Sequence, residues 1–296
     1  MLVLWGLVGL PSHAAVIPFA DNFNANTVGS VPTGWTTTGS TTGGANGSTT
    51  GSVSAQDLGA GQLVARHVIS ATRTGGTGGK AHIRSQAISF TNSPGSEGFD
   101  FTITAKVTVT QTSFASDDTL NFALVALASN GDFTDAGSSS RYQLQFNYQA
   151  TSGSTTPQGR ISLVENNGAN PGTATVHASS TTTLTGTLNQ TYTFTLAGTY
   201  AMPGNPASNL TLTGSLSDGT STITVTHTDT ATIRTGGFFG MRTGINNASN
   251  GTGGDTASAT IHFDDYAIIP APASLLCVGV LLAVVSARRQ PRRQAS

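Results

Sequence analysis

The chain has 296 residues, with 13 basic and 14 acidic side chains, and only 9% of its residues are charged, against about 25% in an ordinary soluble protein. So few charges exclude a coiled coil, a basic nucleic-acid binder and a charge-rich disordered chain. Apolar residues make up 37% and are dispersed among Gly, Ser and Thr, so a core can form in one large or two small domains.

In chain order, the first expected element is an address. Met1 to Leu10 is almost wholly apolar, and Ser12 and Ala14 follow as small residues at the spacing a signal peptidase needs. This predicts a secretory signal over residues 1–14, cut after Ala14, although no Lys or Arg precedes the apolar stretch.

Residues 15–268 show period-2 patterning and no convincing helical period. Phe99, Phe101, Ile103, Ala105, Val107 and Val109 alternate with polar residues, which sets one face on a core and one in water. Tyr142 to Tyr148, Tyr192 to Leu196, Leu210 with Leu212, and Ile223 with Val225 repeat the pattern, with Thr as the usual filler. The Gly/Ser/Thr/Asn-rich stretches Thr36–Ser54, Thr74–Gly79, Asn166–Gly172 and Thr243–Thr256 read as turns and surface loops. About a dozen strands without helices predict an all-β fold, a two-sheet antiparallel sandwich of the jelly-roll kind.

Chemistry is sparse. The single cysteine, Cys277, permits no intrachain disulfide and no Cys-based zinc site. The only glutamates, Glu97 and Glu165, lie far apart in turn-like contexts, and adjacent aspartates such as Asp117–Asp118 and Asp264–Asp265 would point to opposite faces of a strand. His67, His82, His177, His227 and His262 are scattered singly and read as structural. The Gly-rich run at 75–79 lacks the first Gly and the Ser/Thr of a phosphate loop, having Thr74 and Ala81 there. Trp35, after a Pro-Thr-Gly turn, reads as core. No enzyme is expected from these residues.

Residues 269–296 form a second address. Pro270, Ala271, Pro272, Ala273 and Ser274 precede an apolar run, and Arg288, Arg289, Arg292 and Arg293 follow it. The run of about 15 residues would span roughly 22 Å as a helix, short of a ~30 Å hydrocarbon core unless its flanks contribute. It predicts a single transmembrane helix with the arginines cytoplasmic and the body outside. Without those arginines the body is mildly acidic, and no nucleic-acid partner is expected.

The order P-x-P-A-S-L, apolar helix, Arg cluster resembles the PEP-CTERM sorting signal, with Ala271 where that signal has glutamate. The resemblance implies an exosortase-type membrane protease and signal peptidase as partners, and export to the cell surface or extracellular matrix. The body resembles concanavalin A-like and laminin-G-like jelly rolls at Phe19–Asn24 with Pro32–Trp35, at Gly237–Arg242, at Ile261–Tyr266, and in the pair Arg141–Phe146 and Gly159–Gly168. That likeness implies an extracellular polysaccharide as a partner. It also brings a glucanase possibility whose paired glutamates this chain lacks, and a structural Ca²⁺ held where the terminal strands meet, at Asp21 and Asp264. The loop Asn130–Asp135 is a second calcium candidate. The expectation is an exported, structural or glycan-associated β-sandwich, with a lectin-like carbohydrate binder as the alternative and an atypical glycoside hydrolase behind it.

Overall fold

The computed structural model describes residues 19–43, 47–73, 80–90, 93–113, 118–134, 139–149, 158–168, 174–247 and 256–270. The expected signal segment with Ala14, the residues Ala271, Pro272, Ala273 and Ser274, the apolar run with Cys277, and the cluster Arg288, Arg289, Arg292 and Arg293 lie outside them. Among the described residues no helix is long and apolar enough to cross a membrane.

The chain forms β1 (Phe19–Asp21), β2 (Thr36–Gly43), β3 (Gly47–Asp57), β4 (Leu63–Arg73), β5 (Lys80–Ser89), a one-turn helix α1 (Pro94–Glu97), β6 (Phe101–Ser113), β7 (Thr119–Ala128) and β8 (Ser140–Gln149). There follow β9 (Gln158–Asn167), β10 (Ala174–Ser179), β11 (Leu184–Thr185), β12 (Thr191–Tyr200), β13 (Leu210–Ser217), β14 (Thr222–Asp229), β15 (Phe238–Asn247) and β16 (Thr256–Pro270). The first sheet has the order β14-β13-β12-β6-β16-β4-β3, with β1 also paired to β16; the second has β10-β9-β8-β7-β15-β5-β2, with β11 on β9. Every pairing is antiparallel among the described residues. The architecture is the expected all-β, two-sheet sandwich. The terminal strands pair, Phe19 opposite Ile268, and the segments from Arg141 and from Gly159 are neighbouring strands in register.

Strict alternation fills the interior. On β6 the side chains of Phe101, Ile103, Ala105, Val107 and Val109 are buried while the residues between them are not. Phe122 from the second sheet meets Phe194 from the first edge-on, ring centres 5.7 Å apart, and tilts against Phe146 at 5.0 Å. His67 is buried between the sheets, its ring nitrogens bonded to Thr243 at 3.1 Å and Gln86 at 3.0 Å, so this histidine is structural. Trp35 is core, as expected, packed against Phe19, Phe23 and Tyr266.

Gly159 exists because of this packing. A Cβ there would lie 2.0 Å from the Phe146 ring, so Gly159→Ala is expected to cost about 1–3 kcal/mol of stability by overpacking. Denaturant unfolding reads this directly, and an unchanged midpoint would mean that the ring moves aside freely.

Two expected loops are strands. Thr36–Ser54 supplies β2 and much of β3, and most of the first half of Thr243–Thr256 belongs to β15. Their Thr, Ser and Gly carry no long apolar alternation: the residues of β2 from Thr36 to Gly39 are exposed or half-buried, and β3 buries Val53 and Ala55 only near its end. The short helix α1 was also unexpected. Ser93 caps it by accepting from the Ser96 N–H, and Gly98 ends it at φ 68°.

Candidate functional site

The outer face of the first sheet is polar because the partners of its buried residues alternate outward: Thr102, Thr104, Lys106, Thr108 and Thr110 on β6, and Thr191, Thr193 and Thr195 on β12. On β16, His262 stands between Arg66 of β4 and Thr108 of β6. Next to it the ladder breaks, with a register shift between Asp264 and Ala267 and Asp265 at φ 47°. Such a bulge leaves extra residues unpaired and re-aims their side chains. Here it brings Asp265 within 2.6 Å of the Lys106 ammonium, while Asp264 lies opposite Lys106 in register. The expectation that Asp264 and Asp265 point to opposite faces is corrected by this bulge, since both act on one lysine. The Asp265 hydrogen bond, more than its charge, holds the Lys106 ammonium above its ordinary value.

A groove of about 570 Å³ crosses the sheet here, from Leu58 and Gln62 at the β3–β4 turn to Asn189 and Thr191, over a floor that includes Val64 and His262. That size falls within the range of small-ligand clefts. The Gln62 amide donates to Asp264 Oδ2 at 3.1 Å, and the Asp265 N–H donates to Asp264 Oδ1 at 2.8 Å. His262 is only 8% exposed, and its Nε2 is buried with no hydrogen-bond partner. Burial, and then the nearby Arg66 charge, push the imidazole below its ordinary value, so it is neutral at pH 7. A buried polar atom left unpaired costs about 1–3 kcal/mol.

The calcium candidates are placed on the same pair of strands but on different donors. Asp21 Oδ2 accepts from Trp35 Nε1 at 2.8 Å and Oδ1 from the Phe23 N–H at 2.6 Å, whereas Asp264 belongs to the groove. Asp132, in the second candidate loop, accepts from Thr134 N–H at 2.9 Å and Thr134 Oγ1 at 2.5 Å. Among the described residues no three His, Cys, Asp or Glu side chains gather so as to hold a metal ion.

A second polar cluster joins the sheets where β14 approaches β9 and β10. The Glu165 carboxylate accepts from His177 Nε2 at 2.8 Å and from the Arg234 guanidinium. His177 stacks on His227, ring centres 4.0 Å apart and planes 13° from parallel. Tyr142 donates its hydroxyl proton to Asp229 and accepts from the Arg234 N–H at 3.3 Å. Glu165 is thus a strand residue partnered by a guanidinium and an imidazole, and His177 and His227 are a contact pair; the expectation of a turn glutamate and of single histidines is corrected.

No family model matches the chain, and no curated protein matches it. Solved structures similar to it include the carbohydrate recognition domain of Emp46p in its potassium-bound form, 13% identical over 84% of this chain and 94% of that one, TM-score 0.46. The CBM2 module of the evolved Dit of Lactobacillus casei BL23 phage J-1 is 14% identical over 84% and 94%, TM-score 0.42. The marine PL-14 alginate lyase from Aplysia kurodai is 11% identical over 74% and 87%, TM-score 0.41. The class of this protein, an antiparallel β-sandwich, rests on its own strand pairing.

Proposed function

We propose that the protein is an exported β-sandwich of the cell envelope or extracellular matrix, and that the groove over β4, β16, β6 and β12 binds a glycan. One observation carries the binding reading: the amides of Gln62 and Asn189 and the hydroxyls of Thr108, Thr110 and Thr191 line one groove beside apolar Val64 and Leu58. Sugars present hydroxyl edges and C–H faces, and polar groups on rigid strands beside apolar surface suit both. Binding rather than catalysis is supported by the state of the glutamates. Glu165 is engaged by Arg234 and His177, and Glu97 ends a one-turn helix elsewhere.

The export reading rests on residues 1–14 and 269–296, with signal peptidase and an exosortase-type protease as processing partners and the C-terminal helix as the initial membrane anchor. Mass spectrometry of the protein recovered from its native cells tests it: a first residue of Ala15 and a chain ending near Pro270 are expected, and an intact Met1 would sink export through a cleaved signal.

Glycan arrays followed by calorimetric titration test the binding. Saturable binding is expected, weakened roughly 3–10-fold by Gln62→Ala or Asn189→Ala, as loss of one hydrogen bond predicts. An array without a saturable sugar would remove the reading. Calcium is not needed for it. Both Asp21 oxygens already face N–H donors, so equal thermal midpoints are expected in chelator and in calcium, and a higher midpoint in calcium would show that the fold holds an ion.

A further inference from the structure

The two expected addresses join the body at one end of the sandwich. We infer that this end, led by the loop 201–209 between β12 and β13, rests on a phospholipid surface while the tail is attached. The inference deepens the export reading and rests on its C-terminal anchor.

The first argument is chain length. β16 runs to Pro270, which lies opposite Phe101, and β1 starts at Phe19, opposite Ile268. Only residues 271–274 separate Pro270 from the apolar run, and four residues reach at most about 14 Å when fully extended. Residues 15–18 give the same short reach between Ala14 and Phe19. An anchored body therefore holds this end close to the bilayer.

The second argument is what protrudes there. Phe101 also lies opposite Gly198, and β12 continues past that level to Tyr200, opposite Leu210. Two further residues of strand carry the loop 201–209 about 7 Å beyond Pro270, roughly half the reach of the tether. The loop has no charged residue. Met202 in it is 57% exposed, and Ile269 near the end of β16 is 50% exposed. Between the loop and the residues after β14, a cleft of about 340 Å³ is lined by Pro206, Ala207, Ala231 and Ile233 with Thr232 and Thr235. Apolar groups exposed together mark an interaction surface, and those held at headgroup level enter the acyl boundary by ~5–10 Å. Ionised groups near the loop are engaged within the protein: Asp100 accepts from the Tyr200 N–H at 2.7 Å, Asp229 from the Tyr142 hydroxyl, and Arg234 holds Glu165. With this end on the membrane, Lys106 and Thr108 of the groove stand roughly 17–24 Å up β6 from Phe101, and the groove opens sideways along the surface.

The experiment places a fluorophore on the full-length chain in a Cys277→Ala background. The chain is reconstituted into vesicles of phosphatidylethanolamine and phosphatidylglycerol, with or without bromine in the acyl chains. Labels at Met202→Cys and Ala207→Cys are expected to lose roughly half of their intensity or more to bromine, as a depth of ~5–10 Å implies. A label at Thr220→Cys, in the β13–β14 turn at the far end of those strands, is expected to lose none. All three positions are exposed, so the substitutions leave the core intact. Protein that floats with the vesicles while neither loop label is quenched, or while Thr220→Cys is quenched as strongly, would overturn the inference and leave the anchor standing. Protein that does not float with the vesicles overturns both.

Discussion

Phe122→Ala is expected to lower the unfolding free energy by about 3–5 kcal/mol, the range for emptying an aromatic site in a packed core. Phe122 is fully buried, and it joins the two sheets: it leans on Phe146 of its own sheet and meets Phe194 of the other edge-on. Losing it removes two aromatic contacts together with its apolar area. The surrounding strands, tied on both sides by ladder hydrogen bonds, cannot close the gap. For a domain of this size the loss corresponds to a fall in midpoint of roughly 6–20 °C. Calorimetry measures it, and a loss under about 1 kcal/mol would show that the sheets do not depend on this aromatic contact.

Glu165→Ala is expected to cost about 2–3 kcal/mol at neutral pH. Removing one member of a buried ion pair strands the other, but the side chains of Glu165, Arg234 and His177 keep 14%, 17% and 19% exposure, so solvent screens part of the effect. The same cluster makes the wild type sensitive to acid. Burial, then the facing His177, hold His227 below its ordinary value of 6.5. The unfolded chain therefore takes up this proton first, and stability falls as pH drops below 6.5 until it passes the folded value. Asp229 adds a second loss at lower pH. Burial pushes its carboxyl up, but the Tyr142 hydroxyl, the Ala231 N–H and both imidazoles outweigh that and hold it below 3.8. Its contribution is present above 3.8 and disappears as pH falls through the folded value. Thermal midpoints from pH 7 to pH 5 are expected to decline in the wild type and to decline less in His227→Phe. Parallel curves for the two proteins would rule His227 out as the source.

The strands that cover the core were legible in the sequence because burial on one face imposes alternation. β6, β8, β12, β13 and β14 all show it. β2 and the first part of β3 were not legible, because their Thr, Ser and Gly look like loop material and the apolar Val53 and Ala55 come only near the end of β3. The pairing of the terminal strands was also legible. Asp21 was also expected beside Asp264, but the structure gives them different partners, Phe23 N–H and Trp35 Nε1 for Asp21 and the Gln62 amide and Asp265 N–H for Asp264; the bulge after Asp264 is a local backbone event that no residue pattern announces. The Glu165 cluster did leave a signal. Ile161, Leu163 and Glu165 share one phase of β9, and Ile223, Val225, His227 and Asp229 share one phase of β14, so ionisable residues occupy core-facing positions. An acidic residue in step with buried aliphatics needs a partner from another strand, and only the fold says which.

The position of β16 bears on when this protein can fold. The last strand of the described chain lies in the interior of the first sheet, between β6 and β4, and also carries β1. Until residues 256–270 have been made, β4 with β3 has no ladder to β6 with β12, and the first sheet exists as two separate pieces. Contacts of such long sequence separation form slowly. The first sheet therefore closes only after residues 256–270 have been made, whereas none of the ladders of the second sheet needs β16.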